Sequence, residues 1–318
     1  MSRIHEALKK AEEERFGMQG GKAEALPESV VVTPASKVDP SELTPDAALR
    51  LPATPSIAIP SAEYLRFDDL RTRCTHPHWN PDPNVNVFLN PALSPHGAEQ
   101  FRTLRSRLYQ LRSNQTLRTV LITSSVPAEG KTFVTNNLAQ AIVRQPDRRA
   151  LIIDADLRCS RLHVPLGAPS APGLADYLRG EADEMSIIQH GLEGNLFLIP
   201  GGREVANPSE LLSNGRLKKL LDRLVPVFDW VILDSPPCVP VADANILADI
   251  CDGVLLVVRA GSTPSEVAQR ACQELNGRNI IGVVLNAAAE SPAYGSAYYQ
   301  AYGYGTSHTV KEPPSVAP

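Results

Sequence analysis

Six stretches carry nearly unbroken runs of Val, Ile and Leu: TVLITS from Thr119, ALIIDAD from Ala150, NLFLIP from Asn195, WVILDS from Trp230, GVLLVVR from Gly253 and IIGVVLN from Ile280. Continuous apolar runs, rather than strict alternation, mark strands buried on both faces, as in parallel sheets. Between them lie stretches of helical character: TFVTNNLAQAIVRQ, PGLADYLRG, SELLSNGRLKKLLDRL, ADANILADI and SEVAQRACQELN. Strand and helix in alternation predict an α/β domain over residues 96–290, a mostly parallel sheet with helices on both faces. Ligands in such folds bind at the carboxyl ends of the strands.

The flanks have a different character. Residues 17–95 are rich in Pro, Ala, Ser and isolated charges, and predict a largely disordered linker, because proline recurs too often for helices or central strands to persist. Residues 1–16 predict a short helix with Ile4, Leu8 and Ala11 on one face and a Glu6–Lys10 pair. A helix of that length is marginal alone. It is either a solvated tip or an element that orders on a partner. Residues 291–318 lose all apolar period and predict a flexible tail, which holds Tyr294, Tyr298, Tyr299, Tyr302 and Tyr304, five of the eight tyrosines.

Composition narrows the class. With 43% hydrophobic and 21% charged residues in 318, the chain is not wholly disordered, and a net charge of −4 argues against a general nucleic-acid partner. The cysteines Cys74, Cys159, Cys238, Cys251 and Cys272 form no C-x-x-C pair, so neither a zinc site nor a disulfide framework is expected, and a reducing cytoplasm is. Neither a signal peptide nor eighteen consecutive apolar residues occurs, so attachment to a membrane would run through a partner.

The strongest chemical signal is SSVPAEGKT, Ser124 to Thr132, at a strand-to-helix joint. It matches the P-loop pattern except that Ser125 stands where the first glycine would be. Such a loop wraps backbone N–H groups around phosphate oxygens at a helix N-terminus. In it Gly130 permits close approach, Lys131 reaches the β/γ-phosphates and Thr132 holds Mg²⁺, which makes the fold of P-loop NTPase type. Pro127, Ala128, Glu129 and Phe133 complete the stretch expected against the nucleotide. Two further strands end in carboxylates: LIIDADLR in Asp154 and Asp156, and WVILDSPP in Asp234, placed as a Walker B aspartate is. A lone aspartate after a strand is more often a helix cap. Three beside a P-loop point to metal or catalytic work.

Together SSVPAEGKT, LIIDADLR, VILDSPP and the tyrosine-rich tail resemble the bacterial tyrosine kinases of capsule and exopolysaccharide synthesis, over about Pro91 to Tyr304. A further match is Glu99-Gln-Phe-Arg102-Thr-Leu-Arg105, similar to that family's E-x-x-R-x-x-R subunit-contact motif. Read alone, the same stretch is an exposed helix with ordinary i,i+3 ion pairs. The resemblance implies an ATP- and Mg²⁺-dependent tyrosine autokinase that modifies its own tail, with Lys131, Asp154, Asp156 and Asp234 as catalytic residues. Asp154 would sit near the incoming tyrosine, with Asp156 and Asp234 on Mg²⁺. Unperturbed Tyr and Asp pKa values differ by roughly 6 units, so prior proton transfer costs about 8 kcal/mol. A loose phosphoryl-transfer transition state needs little of it. Asp154 is therefore expected to orient the hydroxyl and take its proton late.

Asn286, closing the strand IIGVVLN, is placed like the base-contacting asparagine of related P-loop ATPases, with a turn asparagine after a strand as the alternative; Arg259 is a weaker candidate for stacking. From Asn286 the tail reaches about 28 Å to Tyr294 and about 60 Å to Tyr304, enough for reaction in cis or on a neighbour. The resemblance favours neighbours in a ring-like homo-oligomer. It also implies a separate membrane-embedded chain-length or activator protein, a cognate tyrosine phosphatase, and a cytoplasmic location at the inner face of the membrane. Five phosphates would add roughly −7 to −10 charges, which should loosen such an oligomer. Two rival readings share the fold: a partition- or division-site ATPase, whose extra P-loop lysine is here Val126, and a non-catalytic nucleotide-binding scaffold.

Overall fold

The structure is a computed structural model that describes residues 65–90, 95–191 and 194–288. The expected N-terminal helix, the linker up to residue 64 and the tyrosine cluster lie outside the described residues. The elements run α1 (Phe67–Arg73), α2 (Pro95–Asn114), β1 (Thr119–Ser124), α3 (Lys131–Val143), β2 (Ala150–Asp154) and a 3₁₀ turn (Val164–Leu166). Then follow α4 (Leu174–Arg179), α5 (Glu184–Ile187), β3 (Gln189–His190), β4 (Leu196–Ile199), α6 (Pro208–Ser213), α7 (Arg216–Leu224) and β5 (Trp230–Asp234). The last are α8 (Asp243–Ala248), β6 (Gly253–Arg259), α9 (Ser265–Glu274) and β7 (Ile280–Asn286).

All six apolar runs are strands of one sheet, ordered β3-β4-β2-β5-β1-β6-β7. Every pairing is parallel except that of β3 with β4. Side chains of a strand point alternately to its two faces, and here both faces are covered. Leu121, Leu151, Ile153, Val231 and Leu233 feed one core; Val120, Ile122, Ile152 and Ile232 feed the other. Each of these is fully buried, which is why the runs show no polar interruption.

The helices follow their patterns. In α7, Leu217, Leu220, Leu221 and Leu224 are buried at helical spacing, while Lys218, Lys219, Asp222 and Arg223 face outward. The single stretch expected over SELLSNGRLKKLLDRL is two helices. Gly215, at φ +77°, takes the left-handed conformation between them, which breaks the helical path.

The linker expected over residues 17–95 is corrected at its C-terminal end. In α1, Leu70 is fully buried, and Cys74 after it is nearly so. The Thr75 N–H donates to the Ile188 carbonyl, and the His190 N–H donates to the Thr75 carbonyl, each at 2.9 Å, so this segment adds a bridge beside β3. Further on, Asn86 is completely buried. Its amide donates to the carbonyls of Asp82 and Pro165, and its oxygen accepts from the Asn136 and Gln140 amides of α3. Asn137 adds bonds to the main chain of Val85 and Val87. Proline forbids regular elements here, but buried asparagine amides satisfy the backbone in their place.

Candidate active site

The nucleotide-type loop joins β1 to α3. Its turn uses two left-handed positions, Ala128 at φ +64° and Gly130 at φ +95°. Gly130 is required twice over: its φ favours glycine, and a Cβ there would stand 2.0 Å from Asn286 Nδ2. Serine serves at position 125, where the backbone makes the turn and the residue is fully buried.

Glu129 holds the loop from inside. It is 1% exposed, and its carboxylate accepts from the Val126 N–H at 2.8 Å, the Arg259 N–H at 3.2 Å and the Thr263 hydroxyl. Asn286 Nδ2 donates to the Glu129 carbonyl at 2.8 Å, and the Arg259 guanidinium donates to the Ala128 carbonyl at 3.2 Å. The ends of β6 and β7 thus brace the loop. Pro127, Ala128, Glu129 and Arg259, with Ala260 to Pro264 and Ala287, line a cleft of about 490 Å³ on this side.

A second cleft, of about 480 Å³, is lined by Gly130, Lys131, Thr132, Asp156, Arg158 and Arg161. Pro236, Pro237, Pro240 and Val241, from the connection after β5, line it too. Lys131 is 8% exposed. The Thr132 hydroxyl donates to Asp234 Oδ2 at 2.6 Å, and the Thr135 hydroxyl approaches Oδ1 at 3.4 Å. Asp154 stands directly across from Asp234 in the β2–β5 register. Burial pushes the Asp234 carboxyl well above the usual carboxylate range, and the Asp154 charge adds to it. Burial also raises Asp154, against the hydrogen bonds it accepts.

The two carboxylates of LIIDADLR are placed differently. Asp154 is fully buried, and accepts from the Ser160 hydroxyl at 2.7 Å and the N–H groups of Leu162 (2.9 Å) and Asp156 (3.2 Å). It orders the loop after β2, while Asp156 is the member of the pair that lines the cleft. Phe133 turns the other way, edge-on to Phe101 of α2 with ring centroids 5.7 Å apart. In α2, Glu99 and Arg102 form an exposed i,i+3 ion pair at 2.6 Å, whereas Arg105 donates to the Ala141 carbonyl of α3. Arg158, Arg161 and Thr263 join the site although the motif reading gave them no role; Arg158 was in view, two residues beyond Asp156 on the same strand exit.

This fold and loop define a P-loop nucleotide-binding α/β protein. No protein-family model matches the chain. The tyrosine-protein kinase YwqD of Bacillus subtilis is 34% identical over 191 residues, which is 59% of this chain and 80% of that protein. The tyrosine-protein kinase etk of Escherichia coli K12 is 36% identical over 62% of this chain, which spans 27% of that longer relative. The solved kinase domain of Escherichia coli ETK superposes with a TM-score of 0.62 at 34% identity, covering 67% of this chain and 82% of that domain. The chain belongs to the bacterial tyrosine-protein kinase family.

Proposed function

We propose that the protein is an ATP-dependent autokinase that phosphorylates Tyr294, Tyr298, Tyr299, Tyr302 and Tyr304 of its own C-terminal segment and thereby regulates capsule or exopolysaccharide production. The observation that carries this reading is the convergence of Lys131, Thr132, Asp156 and Asp234 on one edge of the sheet, with Thr132 bonded to Asp234. ATP suits the loop: it turns through two left-handed positions, Ala128 and Gly130, into the N-terminus of α3, and the buried Lys131 supplies a cation. The base would lie toward Arg259 and Asn286. Thr132, Asp156 and Asp234 are oxygen donors of the kind Mg²⁺ takes, and would hold it. When bound, Mg²⁺ neutralises phosphate charge. Asp154 fixes the loop that carries Asp156, and accepts the phenolic proton late in transfer.

The assembly in this proposal is a ring-like homo-oligomer that uses the exposed Glu99 and Arg102, with a separate membrane-embedded activator and a cognate phosphatase as partners. No helix among the described residues is long and apolar enough to cross a membrane. The test is to incubate the full chain with ATP and Mg²⁺ and probe for phosphotyrosine, beside Lys131→Met and a chain with all five tail tyrosines changed to Phe. Phosphotyrosine in the unaltered chain alone supports the reading. ATP hydrolysis without phosphotyrosine, with an activator supplied, overturns it.

A further inference from the structure

Around the phosphate-side cleft stand three cations, Lys131, Arg158 and Arg161, against one carboxylate, Asp156, in a chain whose net charge is −4. Lys131 and Asp156 have work in phosphoryl transfer. The two arginines do not, and their states differ.

Arg158 is clamped. Its Nε donates to Asp243 Oδ2 at 2.7 Å, and one terminal nitrogen donates to Asp243 Oδ1 and to the Ser209 hydroxyl, each at 3.0 Å. Asp243 is fully buried at the start of α8, and it also accepts from Ser209. The Arg158 side chain is nevertheless 40% exposed, and its other terminal nitrogen makes no hydrogen bond among the described residues. A planar fork fixed along one edge presents its remaining donors in a single orientation. Arg161, three residues on, is exposed, and its side chain makes no ion pair among the described residues. A fixed and a free guanidinium side by side suit a phosphate monoester, which takes charge-assisted bonds from several directions.

The phosphates of ATP are served by the loop N–H groups and Lys131. The other anion this site would meet is its own product. Tail tyrosines lie one to four residues apart, at most about 14 Å in an extended chain, and each phosphate adds about −1.5 to −2 charges. We propose that Arg158 and Arg161 form an anion subsite that holds one phosphotyrosine of the tail while a neighbouring tyrosine receives the next phosphate, so that the cluster is filled in a primed order. The inference rests on the autokinase reading above. In each cycle the bond from the γ-phosphorus to the β–γ bridging oxygen breaks and one to the phenolic oxygen forms. ADP leaves, the phenolic proton passes to Asp154 and from there to solvent, and the held phosphotyrosine is unchanged.

The experiment uses the full chain with its five tail tyrosines changed to Phe as the enzyme, with ATP and Mg²⁺. Two synthetic acceptors spanning residues 289–306 are compared, one unmodified and one carrying phosphate on Tyr299. The primed peptide is expected to have a kcat/KM about fivefold or more higher, a preference of the size two solvent-exposed charge contacts supply. Arg161→Ala and Asp243→Asn should shrink that ratio below about twofold, and Arg161→Lys should restore part of it. A ratio within one variant cancels losses from misfolding. Equal rates on both peptides, slower transfer to the primed one, or a preference that survives Arg161→Ala would each overturn the subsite and leave the kinase standing. Transfer to neither peptide by a chain that binds ATP would overturn the autokinase reading itself, and the subsite with it.

Discussion

The Thr132 hydroxyl and the buried Asp234 carboxylate, 102 positions apart in the chain, are joined by a 2.6 Å hydrogen bond. That bond ties the first turn of α3 to the end of β5, and several consequences can be measured.

Asp234→Asn separates charge from shape, since an asparagine oxygen still accepts from Thr132. Phosphotyrosine formation should fall by about 100-fold or more, the scale for losing one electrostatic stabiliser of the transition state. Stability should move the other way. Burial holds the folded Asp234 pKa above its ordinary 3.8, so the folded chain keeps a proton that the unfolded chain has released. The stability of the ligand-free protein is therefore progressively lowered as pH rises above about 4. Thermal melts without nucleotide or Mg²⁺ should show Asp234→Asn gaining on the unaltered protein between pH 5 and pH 8. A gap that narrows over that range would contradict the assignment.

Gly130→Ala places a methyl group against Asn286 and forces a left-handed alanine. The expected cost is about 1 kcal/mol or more of stability, with loss of the melting shift produced by an unhydrolysable ATP analogue. Adding Asn286→Ala relieves the contact but not the backbone, so binding should stay weak in the double variant.

Glu129→Gln presents an amide to three donors, from Val126, Arg259 and Thr263. Hydrogen bonds to charged groups are worth about 1.5–3 kcal/mol each, so the loop should loosen. Amide exchange at Val126 and Arg259 should rise while exchange in the central strands stays unchanged, and the KM for ATP should rise more than kcat falls.

Asn86→Ala leaves the Asn136 and Gln140 amides and the Pro165 carbonyl short of partners inside the protein. Each unsatisfied group costs about 1–3 kcal/mol. A drop in melting temperature of several degrees is expected, with exchange protection lost first over residues 79–90. An unchanged melt would show that water replaces the asparagine.

The sheet was legible because strands covered on both faces must be apolar throughout, as in Leu151 to Ile153 and Val231 to Leu233. The P-loop was legible because its chemistry is local: turn, glycine, lysine and hydroxyl lie within a few residues. What escaped depended on distant partners. The pairing of Arg158 with Asp243 spans 85 positions, and nothing around either residue announces the other. Arg105 looks like a surface residue until its donation to the Ala141 carbonyl is seen. Strand β3 is two residues long, below any periodicity. The ordered stretch from Leu65 to Asn90 has a linker's proline content, and only the burial of Asn86, Leu70 and Val87 distinguishes it. Spacing alone put Asp154 and Asp156 on one side of the strand, and nothing near them announces the three donors that enclose Asp154.

In the finished sheet β1 is flanked by β5 and β6, both made long after it. During synthesis at about 5–20 residues per second, the 102 residues between Thr132 and Asp234 take roughly 5–20 s to emerge. Throughout that interval the glycine-containing loop is outside the ribosome without the carboxylate that anchors it. Until β5 has threaded into the middle of the sheet, a nascent chain therefore carries its P-loop without the acidic partner that holds Thr132 in the finished fold.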